Sequence, residues 1–267
     1  MSNSNEMIMN CRQALSGLAG TTGAAVVAAT AAPATQARTG AMAYPSYRSV
    51  LLPVTGMRAM LPVHHVYCNG TEPYPGYFNQ KNAWSNDGTG RQIPYFFQKG
   101  DDSVIVPGEP SPYPLATKEL EATVQLVVAI GSPGQNVSVE EAGKLIFGYA
   151  AGVSLIRADF VDLPEATVAT AADGSALCSP ILPARSDLHM KDKRARLAID
   201  GVVKQDVLLG DLPWRPVELI ARLSTMFPLQ PGDLIYCGSL AKPVPVKRGQ
   251  TLTFDIDGIA VTKTSIA

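Results

Sequence analysis

VQLVVAI, residues 124–130, is apolar except for Gln125 and is bounded by Gly131. A short continuous run of this kind reads as a strand covered on both faces, at the centre of a sheet rather than its rim. Downstream, Ser138 stands three residues before Glu141, a capping box that opens a helix over residues 139–148 with Ala142, Leu145 and Ile146 at helical spacing. A second amphipathic helix is expected over residues 216–226, started by Pro216 and carrying Leu219, Ile220 and Leu223 on one face. The other signals are strands and turns. Residues 50–54, 63–68 and 95–98 read as strands before the central run. After it come 197–204, folded about Asp200-Gly201, then 234–237 following the turn Pro231-Gly232-Asp233, and 251–256 as the closing strand. The result is mostly β with a few helices, an α+β fold sized for one large domain or one domain with a small appendage.

Hydrophobic residues make up 46% and charged residues 17% of the 267, which is enough apolar matter for a sizeable core. A net charge of -1 and the lack of a Lys/Arg stripe exclude nucleic acid as an expected partner. The densest basic patch, KDKRAR at 191–196, is interrupted by Asp192 and reads as a solvated turn before a strand. Cys11, Cys68, Cys178 and Cys237 are far apart and show no zinc spacing; Cys68 and Cys237 sit among strand formers, where buried free thiols are expected. His64 and His65 are adjacent, and neighbours on a strand point to opposite faces, so a metal clamp made by both is not expected.

Residues 1–37 stand apart. From 14 to 34 the chain carries no charge and is built of small and mildly apolar residues, ending in Ala32-Pro33-Ala34 and Thr35-Gln36-Ala37, a pattern signal peptidases accept. Asn10-Cys11-Arg12-Gln13-Ala14-Leu15 resembles a twin-arginine export signal with Cys11 where the first arginine belongs. On that reading the segment is removed and the protein is periplasmic or secreted. The alternative is a disordered Ala-rich extension of a cytoplasmic protein. The segment is too weakly apolar to span a membrane. Residues 38–92 are expected to form an N-terminal subdomain with a long loop at 69–91, and residues 93–267 the main domain.

Six stretches carry a resemblance: VYCNG (66–70), IPYFFQKGDDSVIVPG (93–108), PYPLATKELEATVQLVVAIG (112–131), FGYAAGVSLIRADF (147–160), AIDGVVKQD (198–206) and LQPGDLIYCGS (229–239). In this order and spacing they resemble the fumarylacetoacetate hydrolase superfamily, and within it the fumarylpyruvate hydrolases. The resemblance implies a rolled mixed β-sheet and a homodimer. It also implies Mg²⁺ or Mn²⁺ chemistry on a 1,3-dicarbonyl acid, or decarboxylation or tautomerisation of 2-oxo acids. The family's three metal carboxylates fall at Thr123, Gln125 and Ser154 in this chain. Its water-activating His and Glu fall at Gly76 and Asn79, its carboxylate-gripping Arg at Ala158 beside Arg157, and its Lys near Asp173. Gln205 is kept, and Ser239 replaces a Thr. A hard divalent cation needs anionic oxygen ligands, so neither Mg²⁺ nor Mn²⁺ is expected to bind and the family's hydrolysis is expected to be lost.

Several residues remain as candidate ligand contacts. Arg157 with Asp159 reads either as a carboxylate clamp or as a salt-bridged pair holding a strand end. Lys99 belongs to a retained stretch and reads as functional or as scaffold. Tyr74, Tyr77, Phe78 and Trp84 suit an apolar or aromatic-derived acid, or packing of the loop onto the body. A triad of Ser154, His65 and Asp159 can be drawn, but no G-x-S-x-G turn supports it. Three function classes follow: a metal-independent lyase, isomerase or cyclase on a small organic acid; a non-catalytic small-molecule-binding or partner pseudoenzyme; and an active divalent-metal hydrolase with unusual ligands.

Overall fold

The computed structural model describes residues 49–70, 91, 93–161 and 166–267. The expected export segment at 1–37 and most of the loop at 69–91 lie outside the described residues.

β1 (Leu51–Pro53) and β2 (Met60–Pro62) form a small antiparallel ribbon. β3 (Val66–Asn69), β4 (Phe96–Lys99), β5 (Val104–Ile105), β6 (Leu120–Ile130) and β7 (Ile146–Arg157) follow. Next come β8 (Ala176–Cys178), β9 (Leu182–Pro183), β10 (Arg194–Ile199) and β11 (Val202–Leu208). The last four are β12 (Leu234–Tyr236), β13 (Val244–Val246), β14 (Thr251–Ile256) and β15 (Thr262–Ser265). The helices are α1 (Val139–Ala142), α2 (Ala166–Thr170) and α3 (Pro216–Ser224).

The larger sheet runs β4-β3-β12-β6-β7-β8-β5, with β13 also on β6 and β9 on β7. It is mixed: β3 with β12 and β5 with β8 are parallel, the other pairs antiparallel. Its spine is the long β6–β7 ladder, from Leu120↔Arg157 to Ile130↔Ile146. Alternation along β6 sends Leu120, Ala122, Val124, Leu126, Val128 and Ile130 to one face. There they pack with Leu197, Phe254 and Ile256 of a second, antiparallel sheet (β11-β10-β14-β15) and with Leu219, Ile220 and Leu223 of α3. Val127 and Ala129 face the other way. They join Cys68 of β3, Val104 of β5, Ala176 and Cys178 of β8 and Tyr236 of β12. Residues from both ends of the strand order therefore meet on this inner face, so the sheet is rolled, as expected. Gly152 permits the roll at its tightest point: a Cβ there would collide with Val127 Cγ2 and press on Tyr236 Cε1.

Four expectations are corrected. The helix from 139 stops at Ala142, and after a 3-10 turn over Gly143–Leu145 the chain enters β7, because residues 146–148 pair with β6 and β9 instead of continuing the helix. The capping box is present, with Ser138 Oγ accepting from Glu141 N at 3.2 Å and Glu141 Oε2 from Ser138 N at 2.9 Å. β15 follows β14, so residues 251–256 are not the closing strand. Residues 63–65 precede β3 and are not extended in a ladder, so the two-face rule does not apply to His64 and His65. Both imidazoles turn to Asp233. Cys68, Cys178 and Cys237 are buried free thiols. Among the described residues no helix is long and apolar enough to cross a membrane.

Candidate active site

Thr123 and Gln125 lie two apart on β6 and share its inner face, and Ser154 on β7 stands directly opposite Thr123 in the ladder. All three are buried. The structure thus brings together the trio that the sequence pattern grouped. The loop after β12 closes over them: Gly238 N donates to Gln125 Oε1 at 3.2 Å and Ser239 Oγ to Thr123 Oγ1 at 2.7 Å.

That loop leaves β6 partly unpaired. β13 covers Leu120–Ala122 and β12 covers Val127–Ala129, with nothing from either strand on the residues between. Gln205 fills the gap. Its Oε1 accepts from Val124 N at 2.8 Å and its Nε2 donates to Lys242 O at 2.8 Å, so one buried amide replaces a ladder bond and anchors the loop.

Lys99 reaches the trio from β4, at the far end of the sheet. Its Nζ donates to Ser154 Oγ at 3.0 Å, to Ser175 O at 2.9 Å and to Ser175 Oγ at 3.1 Å, using all three ammonium protons. Ser175 Oγ in turn donates to Thr170 O at 2.8 Å. Lys99 is 4% exposed, and among the described residues no carboxylate pairs with it. Burial pushes its pKa down to about 8, opposed by the neighbouring Cys68. Burial likewise pushes the Cys68 thiol up to about 11, so it is neutral at physiological pH. Glu121, the next residue of β6 on that face, is half-buried and has a partner of its own. Ser154 Oγ accepts from Lys99, which leaves its own O–H to donate.

The other candidates are placed differently. Arg157 Nε donates to Thr117 Oγ1 at 2.7 Å and its guanidinium stacks 3.7 Å over the Phe160 ring. Asp159 Oδ2 accepts from Lys118 N at 2.8 Å. These bonds tie the end of β7 to the turn before β6. Ser154, His65 and Asp159 have separate partners (Lys99, Asp233 and Lys118), so the drawn triad does not assemble. Asp173 is exposed. Tyr74, Gly76, Tyr77, Phe78, Asn79 and Trp84 lie outside the described residues. Sequence reasoning missed Ser175, which sits at the end of an Ala/Thr-rich stretch with no local signal, and the convergence on Asp233.

Residues 69–267 match the profile described as fumarylacetoacetate (FAA) hydrolase C-terminal. A fumarylpyruvate hydrolase from Ralstonia sp is 34% identical over 172 residues, covering 62% of this chain and 88% of the relative. A mitochondrial oxaloacetate decarboxylase from Dictyostelium discoideum is 26% identical, covering 62% and 79%. Among solved structures, fumarylpyruvate hydrolase from Pseudomonas aeruginosa in complex with Mn²⁺ and pyruvate superposes with a TM-score of 0.72 at 28% identity. The superposition covers 84% of this chain and 98% of that one.

Proposed function

The chain belongs to the fumarylacetoacetate hydrolase family, and we propose that it works within that family without a divalent metal, as a lyase, isomerase or cyclase acting on a small organic acid. The observation that carries this reading is the bond from Lys99 Nζ to Ser154 Oγ, 3.0 Å long; among the described residues no carboxylate bonds to Lys99, Thr123, Gln125 or Ser154. Mg²⁺ and Mn²⁺ need anionic oxygens to offset the cost of dehydration. Thr123, Gln125 and Ser154 offer neutral oxygens, already engaged by Ser239, Gly238 and Lys99. Among the described residues, a divalent ion there would meet an ammonium and no carboxylate bonded to the trio. This donor set does not fit the ion.

The relatives' names point to the ligand class: fumarylpyruvate, oxaloacetate and bound pyruvate are all 2-oxo acids. In the proposed complex the C3 proton of the acid passes to a solvent base, and the enolate oxygen that develops accepts from the Ser154 hydroxyl. The Lys99 ammonium polarises that hydroxyl and makes it a stronger donor. A fixed donor in a buried, low-dielectric place favours charge that develops during reaction. Thr123, Gln125 and Ser239 orient the acid. A homodimer is the proposed working unit, exported after loss of residues 1–37.

A second reading has one observation in its favour. All three Lys99 protons are bonded inside the protein, which suits a closed, non-catalytic binding or partner role. Deuterium exchange at C3 of pyruvate, followed by NMR in EDTA, separates the readings. The proposal expects exchange that EDTA leaves intact and Ser154→Ala abolishes. Exchange that EDTA stops supports the metal-dependent hydrolase instead. Binding of pyruvate without exchange supports the non-catalytic role.

A further inference from the structure

His64, His65 and Asp233 form a second cluster, away from the trio. Three features pre-form it. His64 N donates to Gly232 O at 3.0 Å, Leu234 N donates to His65 O at 2.8 Å, and His65 N donates to Asp233 Oδ1 at 3.1 Å, so both histidine backbones are pinned to the turn before β12. Gly232, at φ 93, carries no Cβ where the Pro62 carbonyl presses in, which lets the two segments dock. Asp233 is 0% exposed, and its second oxygen accepts from Gln230 N at 2.8 Å, which fixes the carboxylate plane.

The remaining oxygen, Oδ1, faces both imidazoles, with His64 Nδ1 at 2.8 Å and His65 Nδ1 at 3.3 Å. The rings are half-exposed, with centroids 3.9 Å apart at 62°. A buried carboxylate requires compensation, and among the described residues its only ion-pair partners are these two histidines. Hydrogen bonds from neutral imidazoles satisfy the oxygen but add no positive charge.

We propose that His64, His65 and Asp233 bind a transition-metal dication of the Zn²⁺ class. The three ligand atoms lie within 4.8 Å of one another. Ligands bonded to one Zn²⁺ at roughly 2.0–2.2 Å stand about 3 Å apart, and the two imidazole nitrogens already stand 2.8 and 3.3 Å from Asp233 Oδ1. Two imidazole nitrogens and one carboxylate oxygen suit Zn²⁺, Cu²⁺ or Ni²⁺ and not the hard ions Mg²⁺ and Ca²⁺. The half-exposed side leaves coordination positions open to water.

The test is calorimetric titration of the full, tag-free chain with ZnCl₂ at neutral pH, with MgCl₂ as the contrast. Wild type is expected to take up one Zn²⁺ with micromolar affinity and to give no heat with Mg²⁺. His64→Ala and His65→Ala should each weaken binding severely, and the double variant should lose it. Both side chains are half-exposed, so these variants should keep the fold, and circular dichroism verifies that. Asp233→Asn is a less safe probe, because that carboxylate also holds the turn. No Zn²⁺ uptake by wild type, or unchanged uptake by the folded double variant, would overturn the proposal.

Discussion

Lys99 Nζ and Ser154 Oγ are 3.0 Å apart although β3, β12 and β6 lie between their strands in the sheet. Only the roll of the sheet makes that bond. The ammonium it holds is buried, with no carboxylate paired to it among the described residues, and burial lowers its folded-state pKa to about 8 from the ordinary 10.5. Between these values the unfolded chain binds more protons than the folded one, and stability therefore rises with pH. The penalty is present in full below pH 8 and is relieved as pH climbs toward 10.5. Lys99→Met removes this linkage. The variant should gain stability at pH 7, by about 3 kcal/mol at most. It should also lack the rise expected of wild type between pH 8 and 10.5. Urea unfolding across that range measures both, and parallel curves for the two proteins would count against an uncompensated ammonium.

Gln205 substitutes for a missing ladder bond. Gln205→Leu keeps the volume but strands Val124 N–H and Lys242 C=O, at an expected loss of about 1–3 kcal/mol. The loop over Thr123 and Gln125 should loosen as well. Urea midpoint reports the first effect and amide hydrogen exchange at Gly238 and Ser239 the second. Unchanged stability would mean that water serves Val124 equally well.

Gly152 gives Tyr236 its room. Gly152→Ala drives a methyl into Val127 and the Tyr236 ring. The overpacking should cost about 1–3 kcal/mol, with weakening of the bond from Tyr236 Oη to Leu177 O, now 2.9 Å. A wild-type melting temperature would show that the inner face can give way there.

Restoring charge should restore a metal site. With Thr123→Glu, Gln125→Glu and Ser154→Asp together, three carboxylates share one buried face and repel one another. Lys99 offsets one of them. The variant should melt below wild type in EDTA and recover with Mg²⁺, by about 2.7 kcal/mol when the ion is at a hundred times its dissociation constant. A folded variant indifferent to Mg²⁺ would mean that these positions do not converge as the register Thr123↔Ser154 places them.

The sequence revealed β6, the Ser138–Glu141 cap, α3 and the Asp200-Gly201 turn, because each carries its signal locally as a run, a box, a stripe or a dipeptide. Asp200 and Gly201 indeed take φ 50 and 80. β7 was harder to read. Gly148, Ala150, Ala151 and Gly152 have little strand propensity, and the two glycines are there because β9, Val127 and Tyr236 approach closely, which is tertiary information. The same limit governs the sites. Period-two alternation puts Thr123 and Gln125 on one face. No local pattern says that Lys99 crosses the roll to Ser154, or that His64 and His65 precede their strand and converge on an aspartate 169 and 168 residues further on.

The central claim is that this family member holds its ligand with a resident ammonium and no divalent metal. Calorimetric titration of wild type with Mg²⁺ in the presence of pyruvate tests it most directly, because the histidine cluster has no affinity for so hard an ion. The account predicts no saturable heat and a pyruvate affinity indifferent to Mg²⁺. Micromolar Mg²⁺ binding that Gln125→Ala abolishes would contradict it.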